Sequence, residues 1–375
     1  MRHLIRRALA GAAGSAGIIA LAACPASAAV TSPAHHTSVP CDTAALDSAI
    51  SSAASGAILV LAAGCTYQTG GLPEISTNLV IVGRGATLEY TFSPDESPIM
   101  SVPGGVTVHI SNLNFTDGYS VGGSASALET QGNVTIDGGT FAGNRDEVGG
   151  SAIENAGQLT VRGAAFTDNG GEDATGGAID NRGQLTAVAT TFTDNDTQLY
   201  GTSGGAIVNG GQATLRDDTL TGNGSNSGVG GAIVNDGTLT VISSTISNNG
   251  AALGGGAIYN DGTLTVVFSS IGNNSASNAA RNPYSIVNGG GIEIDYGTVT
   301  LRHDTLSGNS AYSDGGAIYN GAGTLAVAST SITSNTAGKG GAGGISNKKG
   351  TVSLWRDCIM SNTPVNCLNV PGCKG

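Results

Sequence analysis

The 375-residue sequence has few charges, few prolines and little aromatic character: 11% of its residues are charged, 4% are aromatic, and it contains 10 Pro. Ordinary domains have about 25% charged residues. The 61 Gly residues argue against helical bundles and coiled coils, because each Gly in a helix interior costs roughly 1 kcal/mol. The glycines do not recur at every third position, which excludes a collagen triple helix. Since 39% of the residues are hydrophobic, disorder is also disfavoured. These features favour a regular β architecture with many tight turns.

The charge balance is strongly acidic, with 15 basic and 27 acidic residues and a formal net charge of −12. A surface of this sign repels phosphate backbones, which argues against nucleic acid and anionic membranes as partners. It suits a cation, a polyanion bridged by calcium, or a neutral sugar.

Residues 1–28 have the features of an export signal: an Arg-containing start, a run of small apolar residues, and Ala-Ser-Ala at 26–28. The alternative is a lipid anchor on Cys24, because residues 21–24 resemble a bacterial lipobox. Residues 29–40 are expected to form a disordered lead-in. No later apolar run approaches the roughly 18 residues that a membrane-spanning helix needs. The sequence therefore predicts a secreted, extracellular protein without a transmembrane segment.

Five cysteines follow this leader, and they lie near the two ends of the remaining chain. Disulfides persist in exported proteins, so we expect a bond between Cys41 and Cys65. We also expect one bond within the group Cys358, Cys367 and Cys373. The remaining cysteine is then a free thiol or an intermolecular link.

Most of the chain is one repeat, which reads roughly L-T-V-x-x-S-T-[FIL]-[TS]-x-N, a variable loop, and G-G-A-I-x-N-x-G-T. Each repeat contains three short alternating apolar segments separated by Gly, Asn and Asp, which is the pattern of three short strands with turns. One repeat cannot bury its own apolar face, so successive repeats must stack. Strand-on-strand stacking gives a rise near 4.8 Å for each coil.

Stacking the repeats produces columns of equivalent side chains. One inward column consists of Phe115, Phe141, Phe166, Phe192, Leu220, Ile246, Ile271, Leu306, Ile332 and Ile359. One polar column consists of Asn155, Asn181, Asn209, Asn235, Asn260, Asn320 and Asn347. A second consists of Asn144, Asn169, Asn195, Asn223, Asn249, Asn274, Asn309, Asn335 and Asn362. Asn ladders of this kind form hydrogen bonds between coils at turns, so we interpret both as structural.

The motifs G-G-A-I-x-N-x-G-T-L-T-V and T-[FIL]-[TS]-x-N over residues 42–362 resemble the right-handed parallel β-helix of the pectate-lyase-like superfamily. The resemblance is strongest to its secreted repeat proteins related to polymorphic outer-membrane proteins. It implies an all-β, three-faced, right-handed solenoid that forms a single domain over residues 41–375. A short helix capping the N-terminal end is expected, with Asp42 as its N-cap and Leu46 and Ile50 on one face. Function is not implied, because this fold hosts lyases, hydrolases, epimerases, adhesins and binding proteins.

One outward column places acidic residues on three consecutive coils, at Glu129, Glu154 and Asp180. Like charges on adjacent strands destabilise a sheet. A row of acidic residues therefore suggests a functional role that outweighs this cost. The three carboxylates, with Arg182 nearby, are candidates for a calcium site or for acid catalysis. In calcium-dependent lyases of this fold, stacked acids hold calcium that bridges an acidic sugar. The alternative interpretation is a solvated acidic face.

The second departure from the repeat is a coil of 35 residues with an inserted loop that carries Tyr284. Tyr259, Glu293 and Tyr319 occupy the same outward column on three successive coils. Loops on a rigid scaffold often carry function, so these residues are candidates for an aromatic sugar-binding groove.

No complete set of catalytic acid, base and cation is recognisable in the sequence. We therefore expect a non-catalytic secreted or cell-surface protein for adhesion or for binding extracellular polysaccharide. The alternative is a calcium-dependent polysaccharide lyase or a glycoside hydrolase. A third hypothesis is ice binding, since Thr135, Thr160, Thr186 and Thr214 begin a regular outward row, although Thr is favoured on any exposed strand.

Overall fold

The computed structural model describes residues 36–91, 97–120, 125–146, 151–171, 176–198, 204–277 and 287–373. Within these ranges the chain forms one short helix, α1 (Thr43–Ser51), and three parallel sheets of 23, 11 and 8 strands, here named sheets A, B and C. No described helix is long and apolar enough to cross a membrane. The predicted all-β solenoid with a single short helix is confirmed.

Sheet A contains two rows of strands that meet at a bend. The first row, with the two long strands that pass through the bend, comprises His36–Val39, Ala57–Leu61, Leu79–Tyr90, Thr107–Thr116, Asn133–Asp137, Gln158–Arg162, Gln184–Val188, Gln212–Arg216, Thr238–Ile242, Thr263–Val267, Thr298–Arg302, Thr324–Ala328 and Thr351–Trp355. The second row comprises Thr66–Thr69, Thr140–Ala142, Ala165–Thr167, Thr191–Thr193, Thr219–Thr221, Thr245–Ser247, Ser270–Gly272, Thr305–Ser307, Ser331–Thr333 and Cys358–Met360.

Sheets B and C close each coil. The strands of sheet B are Met100–Val102, Leu128–Thr130, Ile153–Asn155, Ile179–Asn181, Ile207–Asn209, Ile233–Asn235, Ile258–Asn260, Ile292–Ile294, Ile318–Asn320, Ile345–Asn347 and Cys367–Leu368. The two-residue strands of sheet C are Tyr119–Ser120, Arg145–Asp146, Gly170–Gly171, Asp196–Thr197, Gly224–Ser225, Gly250–Ala251, Ser275–Ala276 and Ser310–Ala311. Equivalent residues of successive coils pair in register, as Ile153 does with Ile179 and Ile179 with Ile207.

The inward columns form the core that the repeat predicts. Phe115, Phe141, Phe166 and Phe192 are fully buried, and their rings stack with centroids 4.6, 4.7 and 4.9 Å apart. The spacing of these rings follows the spacing between strands of one sheet, so the aromatic stack and the sheet reinforce each other.

Both Asn columns form hydrogen-bonded ladders in the interior. From Asn144 to Asn362, each side-chain Nδ2 donates to the Oδ1 of the next Asn at 2.8–3.0 Å. The other ladder runs from Asn155 to Asn260 at 2.7 Å for each bond. It is interrupted by Ile294, and beyond the break the Oδ1 of Asn320 is buried without a hydrogen-bond partner. The structural interpretation of both columns is thus supported by direct contacts.

A third polar ladder has mixed residue types, and the sequence analysis missed it. The ladder begins at Thr190, and each later member accepts a hydrogen bond from the backbone N–H of the preceding member, at distances from 2.7 to 3.3 Å: Asp218, Ser244, Ser269, Asp304, Thr330 and Asp357. Asp218 and Asp304 are buried, and burial raises their pKa values to about 7 and about 6. Two carboxyl groups are thus held inside the protein at the corner between the two rows of sheet A.

The N-terminal end is closed by α1 and a disulfide bond. Asp42 caps the helix by accepting a hydrogen bond from the Ala45 N–H at 2.8 Å, and Leu46 and Ile50 are buried. Cys41 and Cys65 are bonded. The lead-in predicted to be disordered over residues 29–40 is wrong for its last part, because His36–Val39 forms a strand parallel to Ala57–Leu61. The strand Ala57–Leu61 of the first coil has an edge available for pairing, and backbone hydrogen bonds to that edge order the segment His36–Val39.

At the C-terminal end the structure selects one of the pairings left open by the sequence. Cys367 is bonded to Cys373. Cys358 is a free, exposed thiol on the last strand of sheet A.

Replacing Cys41 and Cys65 together by Ser is expected to lower the free energy of unfolding by about 3 kcal/mol, because the loop closed by this disulfide becomes free in the unfolded chain. Denaturant titration followed by circular dichroism measures the change. The control is Cys358→Ser, which removes an exposed thiol without breaking a bond and should leave stability within about 0.5 kcal/mol. Equal unfolding midpoints for both variants would contradict the assigned role of the disulfide.

Candidate functional site

The candidate residues lie in one row on the outer side of sheet B. Glu129, Glu154 and Asp180 pair in register on consecutive strands. Val208 and Val234 separate them from Tyr259, Glu293 and Tyr319, which follow in register in the same row. Tyr284 lies outside the described residues. The row therefore contains two groups, an acidic group and a Tyr–Glu–Tyr group.

This row is less exposed than a solvated face would be. Asp180 is 5% exposed, Tyr319 is 8% exposed and Val234 is fully buried. On two coils the described residues just before the strand cover the row: Gly289 and Gly315 have positive φ, and a Cβ on either would lie 2.6–2.7 Å from the Cβ of Glu293 or Tyr319. The alternative interpretation of a solvated acidic face is therefore wrong for Asp180.

Arg182 compensates the charge of the acidic group. Its guanidinium donates to Glu154 Oε1 at 2.5 Å and to Asp180 Oδ2 at 2.7 Å. Burial raises the pKa values of Glu154 and Asp180, and the charge of Arg182 partly offsets this effect. One guanidinium thus neutralises one of the two negative charges and spans adjacent coils.

The described side chains do not present a preformed metal centre. Within the described ranges, no group of three or more His, Cys, Asp or Glu side chains is arranged to hold a metal ion. The calcium hypothesis placed a cation among the carboxylates of Glu129, Glu154 and Asp180. Two of these, Glu154 and Asp180, instead contact the guanidinium of Arg182.

Glu293 supplies the one carboxyl group of the Tyr–Glu–Tyr group. Its Oε2 is buried without a hydrogen-bond partner and lies against Gly254, where a Cβ would be 1.7 Å from it. Burial, and then the charge of Asp295, raise the pKa of Glu293 to about 8, so the group is largely protonated at neutral pH. The hydroxyl of Tyr259 donates to Asp295 Oδ2 at 3.3 Å. The Oε2 atom of Glu293 thus faces backbone rather than solvent.

Tyr319 borders an open groove of about 520 Å³. Asp314 lies in its wall with both carboxylate oxygens engaged: Oδ1 accepts from the N–H groups of Gly315 and Ala342 at 2.8 Å, and Oδ2 accepts from Ser346 Oγ at 2.7 Å. Tyr312 is 52% exposed. The groove is lined by residues of four successive coils, among them Tyr312, Asp314, Tyr319, Lys339, Ser346 and Lys348.

Sequence reasoning found Tyr319 but missed the other lining residues. A usable signal was the distribution of lysine, because Lys339, Lys348, Lys349 and Lys374 are all the lysines of the chain. Because these lysines are concentrated near the C-terminal end, they mark a region that is more basic than the acidic remainder of the chain.

Comparison with known proteins agrees with this architecture. Residues 91–246 match the family model described as right handed beta helix region. None of the curated proteins matches the chain. The coils before and after the matched residues continue the same sheets. The chain is accordingly a right-handed parallel β-helix, and its residues 91–246 are similar to the family that this model describes.

Proposed function

We propose that this protein is an extracellular, non-catalytic β-helix that binds polysaccharide in the groove bordered by Tyr312 and Tyr319. The observation that carries the proposal is the groove itself. Its volume of about 520 Å³ falls within the roughly 300–1,000 Å³ range of ligand pockets, and it is open along several coils. An open site of this form suits a segment of a chain molecule better than an enclosed small metabolite.

The lining residues fit sugar chemistry. A phenol ring offers an apolar face for the C–H groups of a pyranose and a hydroxyl for its polar edge. Tyr312 is half exposed, and the carboxylate of Asp314 is fixed by its three hydrogen bonds. A fixed acceptor of this kind binds hydroxyl groups without a further ordering cost. Lys339 and Lys348 are exposed at the rim and provide donors.

The non-catalytic part of the proposal rests on how the described acids are engaged. Asp180 and Glu154 are paired with Arg182, Asp314 is held by three donors, and Glu293 has a buried Oε2. General acid–base catalysis needs a group within hydrogen-bond reach of the reacting atoms. Glu154, Asp180 and Glu293 are thus engaged with, or enclosed by, the protein itself.

An extracellular location is compatible with the two disulfide bonds, which persist in oxidising compartments. Export by the signal at residues 1–28 belongs to this proposal, with lipid anchoring at Cys24 as the alternative. In either case the groove would meet polysaccharides outside the cytoplasm, free or on a cell surface.

The test is calorimetric titration against a panel of plant, algal and animal polysaccharides. Tyr312→Ser is expected to weaken binding at least fivefold, because truncating an aromatic binding residue often costs more than about 1 kcal/mol. The equivalent position of the preceding coil is Ser277, so the variant retains a residue that this position accepts. Tyr296→Ser is the matched control, since Tyr296 is 73% exposed and lies outside the groove.

Two outcomes would contradict the proposal. The first is equal binding by wild type and Tyr312→Ser for every ligand that binds. The second is turnover: a rise in ultraviolet absorbance from an unsaturated product would indicate a lyase, and new reducing ends would indicate a hydrolase.

A further inference from the structure

The C-terminal end of the β-helix is less completely closed than its N-terminal end. At the N-terminal end, α1 packs its two buried apolar side chains against the core. At the other end, the strands Thr351–Trp355 and Cys358–Met360 of sheet A each pair with a strand of the preceding coil, and no described strand pairs with their other edge. Their inward side chains Leu354 and Ile359 are only partly buried. Apolar side chains of the core columns thus reach the surface at this end.

The residues that follow the last strands of sheet A cover only part of this end. Val370 is buried and packs against the core. An open groove of about 360 Å³ remains beside this segment, and it is lined by Leu354, Arg356, Asp357, Ile359, Gly372 and Cys373. The end of the core therefore borders solvent.

Large apolar side chains are exposed in the last coil, residues 351–368. Trp355 is 57% exposed, Met360 is 52% exposed and Val365 is 39% exposed. These are three of the six exposed large hydrophobic side chains in the described ranges. The guanidinium of Arg356 lies 4.4 Å from the centre of the Trp355 ring. Concentrated exposed apolar side chains indicate an interaction surface. We name Leu354, Trp355, Arg356, Met360 and Val365 the end surface.

The charge of this end is opposite to that of the remainder of the chain. Lys349 and Arg356 are exposed. Asp357 is engaged, because its carboxylate accepts hydrogen bonds from the N–H groups of Thr330 and Trp355 at 2.9 and 2.8 Å. Residues 315–375 contain one acidic residue, Asp357, and five basic residues, Lys339, Lys348, Lys349, Arg356 and Lys374, whereas the whole chain carries −12.

The nearest other acidic residues lie too far from this end to cancel its charge. Asp304 and Asp314 belong to the coil that is two coils before the last one, which places them about 10 Å away along the stack. Asp304 is buried, and the carboxylate of Asp314 is held by three donors. At physiological ionic strength, charges are largely screened beyond about 8 Å. The net charge of the whole chain, which argues against an anionic membrane, therefore does not describe this end.

We propose that the end surface docks the protein to a membrane that contains anionic phospholipid. The rings and chains of Trp355, Met360 and Val365 enter the boundary between headgroups and acyl chains, where Trp is favoured because it combines an apolar body with a polar N–H. Lys349 and Arg356 place their charged groups at the level of the phosphates while their stems contact apolar groups. Headgroups and water provide hydrogen-bond partners for the free strand edges, which the hydrocarbon interior does not.

A planar anionic surface fits this end because the participating side chains are spread around one coil rather than gathered in a pocket. Trp355 lies on the first row of sheet A, Met360 on the second row, and Val365 in the segment that follows. None of the residues of the end surface lines the groove of Tyr312 and Tyr319. The inference is therefore independent of the proposed polysaccharide binding.

The single tryptophan of the chain is Trp355, so its fluorescence reports directly on the end surface. The experiment mixes the full chain with vesicles of phosphatidylglycerol and phosphatidylcholine, or of phosphatidylcholine alone, and measures binding by flotation. Wild type is expected to bind the mixed vesicles at least tenfold more tightly, with an affinity that falls as salt rises. The tryptophan emission should shift to shorter wavelength and be quenched by lipids with brominated acyl chains. Binding without these fluorescence changes would overturn the proposal, as would equal binding to both kinds of vesicle.

Trp355→Ala and Met360→Thr are each expected to weaken binding to the mixed vesicles at least fivefold. Both variants introduce the residue that the preceding coil carries in the same column, Ala328 and Thr333, so folding is retained. The matched control is Phe268→Ser, because Phe268 is 62% exposed but lies three coils before the last one. It should bind as wild type does. An equal loss in all three variants would contradict the assignment to the end surface.

Lys349→Ala is expected to weaken binding to the mixed vesicles about fivefold, the usual contribution of one cation near an anionic surface. The variant introduces the residue that the preceding coil carries at the equivalent position, Ala322. Its control is Arg216→Gln, which removes an exposed charge five coils before Trp355 in one column. Equal losses in the two variants would indicate attraction by the whole chain and would refute docking by the end.

A second copy of this chain is the competing occupant of the end surface, and sedimentation without lipid detects it. A wild-type dimer that Trp355→Ala converts to a monomer, together with no binding to either kind of vesicle, would overturn the membrane proposal. The variants also keep the two sites apart. Tyr312→Ser should bind vesicles as wild type does, and Trp355→Ala should bind polysaccharide as wild type does, so that failure of one proposal leaves the other standing.

Discussion

Replacing Phe166 by Ala is expected to lower the free energy of unfolding by about 3–5 kcal/mol, the usual cost of emptying a buried aromatic site. The ring of Phe166 is fully buried and stacks on both Phe141 and Phe192. The neighbouring coils are fixed to each other by the Asn144–Asn362 ladder, so they cannot close around the cavity. Denaturant titration followed by circular dichroism measures the loss.

Phe166→Leu is the control for this prediction. The same inward column continues with Leu220 and Ile246 on later coils, so an aliphatic residue is compatible with the position. We expect Leu to cost less than half as much as Ala. A loss below about 1 kcal/mol in Phe166→Ala would mean that the column relaxes and that the aromatic stack is not a main source of stability.

The second large effect concerns Asp218 and pH. The buried carboxyl group has its pKa raised to about 7 by burial, against a value near 3.8 in the unfolded chain. The folded state therefore binds a proton more tightly, so stability is greatest below about pH 4 for this group and falls as pH rises toward 7. Three pKa units correspond to a loss on the order of 4 kcal/mol.

Asp218→Ser tests this assignment because Ser244 and Ser269 occupy the same ladder on the next two coils. The hydroxyl can accept from the Thr190 N–H as the carboxylate does, and it does not ionise. The variant should gain stability relative to wild type as pH rises from 4 to 8, as measured by denaturant titrations at each pH. Parallel stability profiles for the two proteins would refute the raised pKa.

Much of the architecture could be predicted because stacked coils repeat their chemistry. Asn195 and Phe166 belong to columns that repeat one residue type from coil to coil, and each has a partner of the same kind on the next coil. Recurrence of one residue type from repeat to repeat is visible in a single sequence. The mixed ladder of Thr190, Asp218 and Ser244 has equal structural regularity, but its members differ in type and give no repeat signal.

The candidate site was less predictable, because exposure depends on loops rather than on strand alternation. The outward position of Asp180 was correct, yet the residue is 5% exposed. Gly315 folds back against Tyr319 in the same way that Gly289 folds back against Glu293. The exposed rings of Phe268 and Trp355 were missed for a related reason: the two residues lie far apart in sequence and share one surface only through the register of successive coils.

The Asn ladders, in which each coil places its Asn directly beside that of the next coil, also constrain how a chain of this kind can change length during evolution. Asn195, Asn223, Asn249 and Asn274 each bond to the next member although the intervening segments differ in length. Loss or duplication of one complete coil leaves a donor facing an acceptor at the new junction in every column. Loss of a fraction of a coil leaves buried amides without partners, at about 1–3 kcal/mol for each. Viable length variants of this domain should therefore differ by whole coils, whereas the loops between sheets C and B are free to vary residue by residue.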